Sequence, residues 1–168
     1  GACLISMLHY PTSPKRVKIL TDLGVNAISM DSIVDDNNIR LVENMHAVAW
    51  NGLEAAFDTL EKDCPGLMRE GAPYNVLVMG TGMVGKHAVE AATKLGSIER
   101  NERHMALKGP GSIAQFIGRN ISAYPERMEQ LFRRADILVD ATYRRDPTTP
   151  VVPNEWLAWL PPHAVICD

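Results

Sequence analysis

The chain has 168 residues, 46% of them hydrophobic and 22% charged, the balance of an ordinary globular domain with material for one sizeable core. A formal net charge of −3, with no run of like charges and no aromatic-basic stripe, argues against nucleic acid as a partner. No apolar run reaches membrane-spanning length, and the first residues have neither the basic nor the apolar region of a signal peptide.

Cys3, Cys64 and Cys167 are an odd number of cysteines without metal-ligand spacing. They are expected to be buried thiols in a reducing, cytoplasmic compartment, with no metal site. Apolar runs over residues 2–8 and 164–167 are unlike frayed termini and point to a piece cut from a longer protein at both ends.

Residues 3–8 read as a strand, with His9 just past it. Ser13 and Pro14 open a helix that Gly24 ends, with proline at the start and glycine past the end as helices prefer. Val17, Leu20 and Leu23 form its inward face. Residues 25–30 are a second strand, closing a small β-α-β unit. The aspartate-rich stretch 31–38 could hold a cation, but a solvated turn is the simpler reading. Asn44 can cap a longer helix in which Met45, Ala49, Leu53, Ala56, Phe57 and Leu60 recur at helical period. His46 reads there as an ordinary, partly buried residue. The helix ends near Cys64, Pro65 and Gly66, and a linker over 66–73 follows. A domain boundary therefore falls at the start of this helix, separating residues 1–44 from 45–168.

The stretch after the linker organises the rest. Residues 76–79 are a short β-branched run that reads as a buried strand. Gly80, Gly82 and Gly85 then fall at the G-x-G-x-x-G spacing, and Val84, Ala88, Ala91, Ala92 and Leu95 mark one face of a helix that Gly96 ends. In a dinucleotide site the first glycine makes the tight turn, the second admits the pyrophosphate, and the third lets helix and sheet approach. The unpaired amides and the dipole of the helix start favour an anion. Residues 80–85, comprising Gly80, Thr81, Gly82, Met83, Val84 and Gly85, are the candidate cofactor cradle. A ligand-free glycine turn and a methyltransferase loop share the same spacing.

Such a unit wants an acid closing its second strand, about 20 residues beyond the glycines, to hold the ribose hydroxyls. Glu102 lies at that distance, although residues 97–103 make a poor strand and Arg103 beside it would favour a 2′-phosphate. Alternatively the helix that follows the glycines continues through Met105, Gly109, Pro110 and Gly111 break it, and residues 113–117 are the strand, with Arg119 nearest its end. Both readings stay open from sequence. Downstream, Ser122 and Pro125 open a helix with Met128, Leu131 and Phe132 inward, followed by a strand over 137–141. The loop 142–150 carries Arg144 and Arg145. Pro153 begins a short helix with Trp156, Leu157 and Leu160 inward, and residues 164–167 are the last strand. Alternating strands and helices of these lengths predict an α/β fold, a Rossmann-like doubly wound parallel sheet preceded by a small β-α-β portion of a second domain. Ligands in such sheets sit at the carboxyl ends of strands, which adds Ala141 and Thr142 to the candidate cofactor contacts.

Two segments, V-L-V-M-G-T-G-M-V-G-K-H-A and R-A-D-I-L-V-D-A with the later T-P-V-V and W-L-P-P-H-A-V-I-C-D, make the chain similar to the alanine dehydrogenase and nicotinamide nucleotide transhydrogenase α-subunit family. Weaker similarity covers L-I-S-M-L-H-Y, L-G-V-N-A-I-S-M-D and M-H-A-V-A-W-N-G-L-E-A-A, leaving residues 97–120 as the gap. The resemblance implies a Rossmann domain binding NAD or NADP, with residues 1–44 a remnant of the catalytic domain. It implies hydride transfer between an amino acid and its 2-oxo acid as small-molecule substrates, in a homo-oligomer. It matches His9 to the family's catalytic histidine, a suitable proton donor near neutral pH. The family's substrate-binding arginine and lysine would lie upstream, and its catalytic aspartate past Asp168. The ribose acid has no clean counterpart, His46 stands where the family has a small hydroxyl residue, and Tyr143 with Arg144 replaces a small glycine-bearing loop. A non-catalytic module for ligand sensing or assembly is the rival reading.

Overall fold

The structure, a computed structural model, describes residues 1–10, 13–64, 72–142 and 150–168. It divides into two compact units, Gly1–Asn44 and Met45–Asp168. The linker residues 66–71 and the loop positions Tyr143, Arg144 and Arg145 lie outside the described residues.

In the first unit, β1 (Cys3–Ser6) pairs in parallel with β2 (Asn26–Ser29), and α1 (Pro14–Asp22) connects them. β1 is shorter than its apolar run because the chain turns at His9, whose φ of 52° is in the left-handed region. Pro14 opens α1 as expected and Gly24, at φ 63°, follows its end. The inward face expected of α1 is incomplete: Val17 and Leu20 are half-buried, but Leu23 is exposed. A two-stranded sheet offers too little surface to cover all three.

The second unit is a four-stranded, all-parallel sheet in the order β4-β3-β5-β6. Its strands are β3 (Tyr74–Met79), β4 (Ser112–Ile117), β5 (Ile137–Asp140) and β6 (Val165–Cys167). Alternate residues of β3 serve opposite faces, as the pleat requires. Val76 and Val78 pack with Leu53, Phe57 and Leu60 of α2 (Met45–Asp63) and with Ala88, Ala91 and Ala92 of α3 (Met83–Thr93). Leu77 and Met79 face the other way, onto Met128 and Phe132 of α6 (Pro125–Phe132), with Trp156 and Trp159 of a 3₁₀ turn alongside. Helices thus cover both faces, and the sheet is Rossmann-like and doubly wound. Leu157, expected inward, is exposed because the 3₁₀ spacing turns Trp156 and Trp159 to the core in its place.

Between α3 and β4 the chain takes the second of the two open readings in outline, except that α3 does not continue: Leu95 and Gly96, at φ 54° and 73°, break it and a separate helix follows. Residues 98–106 form α4 (Ile98–Ala106), a glycine break follows, and β4 ends at Ile117 before the single turn of α5 (Arg119–Ser122). Ser97 caps α4 by accepting from the Arg100 amide. The Arg100 side chain is buried, donates to the Leu95 carbonyl at 2.8 Å, and pairs with Asp58 and with Glu61 of α2. His104, also buried, accepts from the Gly111 amide at 2.8 Å. At the foot of the sheet, the Asp136 carboxylate accepts from the Asn75 amide and meets His163 Nε2, both at 2.8 Å, joining β3, β5 and the entry to β6.

The cysteines depart from expectation. Cys3 is exposed on the thin first unit, whereas Cys64 and Cys167 are half-buried. Burial raises the Cys167 thiol above its ordinary pKa, with the Asp168 charge adding to the rise. His46 is exposed, with its ring stacked on Trp50 and edge-on to His87. Among the described residues no helix is long and apolar enough to cross a membrane, and no group of three potential ligands could hold a metal ion.

Candidate functional site

The three glycines after β3 sit in different surroundings. Gly80 has φ 102°, and a Cβ there would lie 2.5 Å from the Ala141 carbonyl oxygen, so the chain leaving β3 passes too close to the chain leaving β5 for a side chain. A Cβ on Gly85 would fall 2.0 Å from the Gly80 carbonyl oxygen, so α3 rests directly on the turn. Gly82 is the opposite case: a Cβ there would meet nothing within 4 Å. Its backbone, at φ −73° and ψ −171°, is ordinary extended chain. Sterics inside the fold therefore demand glycine at 80 and 85. At 82 the space is kept outside it.

That space belongs to a cleft of about 680 Å³, within the size range of small-molecule sites. Gly80, Thr81 and Gly82 form one wall, Ala141 and Thr142 another, and Gly118, Arg119, Asn120 and Ser122 a third. The three walls meet because β3 pairs with both β4 and β5, leaving their carboxyl ends adjacent. Gly82 is the N-cap of α3 and has no side chain to bond the first amides of the helix, and its first turn carries no acid. Those amides, from Met83 onward, and the positive end of the helix dipole suit an anion. On the β5 side the Thr142 amide and hydroxyl both donate to Asp140 Oδ1, at 2.9 and 2.6 Å, which fixes the turn out of that strand.

Of the sequence-predicted cofactor contacts, Gly80, Thr81, Gly82, Ala141 and Thr142 line this cleft, and Met83, Val84 and Gly85 begin the helix at its edge. Glu102 is not brought there. It lies on α4, before the strand it was expected to close, and it is absent from the cleft wall. The residues that follow the strand are Gly118, Arg119 and Asn120, and none is an acid.

His9, the candidate catalytic residue, belongs to the first unit. Its side chain is 55% exposed, and its Nδ1 lies 3.3 Å from Asp31 Oδ2. Asp31, by contrast, has a buried side chain. Asp31 Oδ1 accepts from the amides of Leu8 and His9, at 3.1 and 3.3 Å, and from the Ser29 hydroxyl. These bonds favour the charged form, and the Ser29 hydroxyl is the largest cause holding the carboxyl at about 2 against an ordinary 3.8. One buried carboxylate thus fixes both the backbone under His9 and its ring. Sequence placed Asp31 in a solvated loop. The only available signal was its position directly after the second strand, level with the end of the first.

No family model matches the chain. Two curated proteins match over the whole of it: the alanine dehydrogenase of Bacillus subtilis (strain 168) at 26% identity and that of Halomonas elongata at 24%. The chain is similar to these alanine dehydrogenases. It spans about half the length of these relatives, 47% and 48% respectively. Solved structures similar to it include a dipicolinate synthase from Bacillus halodurans, with a TM-score of 0.45 and 14% identity over 98% of this chain and 49% of that one. Shikimate 5-dehydrogenase from Listeria monocytogenes, solved with shikimate and NAD, gives 0.44 and 12% over 98% of this chain and 76% of that one.

Proposed function

We propose that this chain is the nicotinamide-nucleotide-binding portion of an oxidoreductase that interconverts an amino acid and its 2-oxo acid. The observation that carries the reading is the open space over Gly82, at the uncapped start of α3 and inside a ligand-sized cleft. Neither backbone conformation nor packing requires glycine at this position, in contrast to Gly80 and Gly85. Similarity to two alanine dehydrogenases along the whole of this chain supports the chemical class.

In this reading the amides of Met83, Val84 and Gly85 bind the pyrophosphate, with Gly80, Thr81 and Gly82 shaping the approach. Ala141 and Thr142 hold the far side of the nucleotide. The bound cofactor supplies hydride acceptance and donation, and the protein aims it. His9 hydrogen-bonds the substrate carbonyl and gives a proton to the oxygen as charge develops there. Asp31 facing Nδ1 keeps a proton on that nitrogen and assigns the exchange to Nε2. Residues 1–44 are then part of a catalytic domain and residues 45–168 the cofactor domain.

Titration of the chain with NADH and NADPH, followed by nicotinamide fluorescence or saturation transfer, tests the proposal. Saturable binding of either, lost in competition with ADP-ribose, is expected. Absence of binding by both at millimolar concentration refutes it.

A further inference from the structure

We infer that the cleft selects the phosphorylated cofactor, NADP(H), and that Arg119 is the selecting residue; this rests on the nucleotide-binding reading above. β4 runs in register beside β3, from Tyr74↔Ser112 to Met79↔Ile117, so the chain leaving β4 emerges next to the glycine turn. This is where a dinucleotide fold meets the adenosine ribose. A carboxylate there accepts from both ribose hydroxyls, and an arginine accommodates a 2′-phosphate. Here the chain continues as Gly118, Arg119, Asn120, Ile121 and Ser122. Arg119, Asn120 and Ser122 line the same cleft as Gly80 and Gly82.

The chemistry of this wall is that of an anion subsite. Arg119 is exposed, and among the described residues no carboxylate or carbonyl holds its guanidinium. That contrasts with Arg100, which is buried and paired, and with Arg133, paired to Glu129. Asn120 and Ser122 add neutral groups that can donate to phosphate oxygens. Among the described residues no acid lines the cleft. A ribose 2′-hydroxyl would find no strong acceptor on this wall, whereas a 2′-phosphate, near −2 in charge, meets an uncompensated guanidinium able to grip it through two bonds. Glu102, the sequence candidate for the ribose acid, sits on α4 outside the cleft and cannot offset that charge.

The test titrates the 168-residue chain with NADPH and NADH, and with 2′,5′-ADP and 5′-AMP as fragments that differ by the 2′-phosphate. NADPH and 2′,5′-ADP are expected to bind about tenfold or more tighter than their partners, the scale of one hydrogen-bonded charge pair. Arg119→Ala should weaken NADPH by about the same factor and NADH far less, and Arg119→Lys should recover part of the loss. Arg119 is exposed, so unchanged circular dichroism is expected of both variants. Equal or tighter binding of NADH overturns the inference while leaving the nucleotide-binding reading intact. So does an Arg119→Ala variant that weakens both cofactors equally, since Arg119 would then contact the shared pyrophosphate. Failure of all four ligands to bind removes the nucleotide-binding reading, and the inference with it.

Discussion

Gly82→Ala separates folding from binding. At φ −73° and ψ −171° alanine adopts the same backbone without strain, and its methyl meets nothing within 4 Å. Removing glycine's freedom from the unfolded chain stabilises by about 0.5 to 1 kcal/mol. Alanine is a poorer N-cap than glycine by about 0.5 kcal/mol or somewhat more. The two effects nearly cancel, so Tm should stay within about 3 °C of the parent. The methyl nevertheless stands where a diphosphate must approach the amides of α3. Losing one hydrogen bond to a charged group costs about 1.5 to 3 kcal/mol, a weakening of about tenfold or more. Thermal melts by circular dichroism and a cofactor titration on the same preparation measure both quantities. A variant that binds cofactor like the parent refutes the assignment of that space to the phosphates. A marked fall in Tm shows instead that the space is needed by the fold.

Gly85→Ala should behave in reverse. Its methyl falls 2.0 Å from the Gly80 carbonyl oxygen, a backbone atom that cannot swing aside, so about 3 kcal/mol of stability and roughly 10 °C of Tm should be lost. Near-parent melting would mean that α3 does not rest on the turn. His104→Ala strands the Gly111 amide that His104 Nε2 accepts and should cost about 2 kcal/mol in urea unfolding; an unchanged midpoint refutes the role of that ring. Asp31 carries a pH prediction. Its folded pKa, about 2, is below the ordinary 3.8, so its contribution to stability is complete above 3.8 and is lost as pH falls toward 2. Protection of the Leu8 and His9 amides, taken as the exchange rate relative to the intrinsic rate at each pH, should fall across that window in the parent. In Asp31→Asn that protection should be low and independent of pH, and identical protection profiles would contradict the assignment.

The glycine turn was legible because its demands are steric and local: strand, glycines and helix follow one another in the chain, and each constraint names a residue type. Helix α4 was legible only as one of two open readings, and the reason is chemical. Apolar periodicity finds helices whose buried face is apolar, but the buried residues of α4 are Arg100 and His104, neutralised by partners on α2 and in the turn at Gly111. No local pattern announces an arginine that will meet two acids from another helix. Glu102 was drawn into the site by the same blindness, since counting residues past the glycines assumes that the next element is a strand. Asp31 failed for a different reason. A carboxylate that caps the chain two segments away looks, in sequence, like any other loop acid.

The placement of β3 bears on how the polypeptide is made. Its two sheet neighbours are both encoded downstream, and the Asp136 carboxylate that bonds the Asn75 amide lies 61 residues later. During synthesis β3 therefore leaves the ribosome with both edges bare, shielded on one face by α2 and then by α3 as it emerges. Met79 and Leu77, on the other face, wait for α6. The nascent chain is most exposed to aggregation in that interval, and a translational pause before residue 125 would lengthen it.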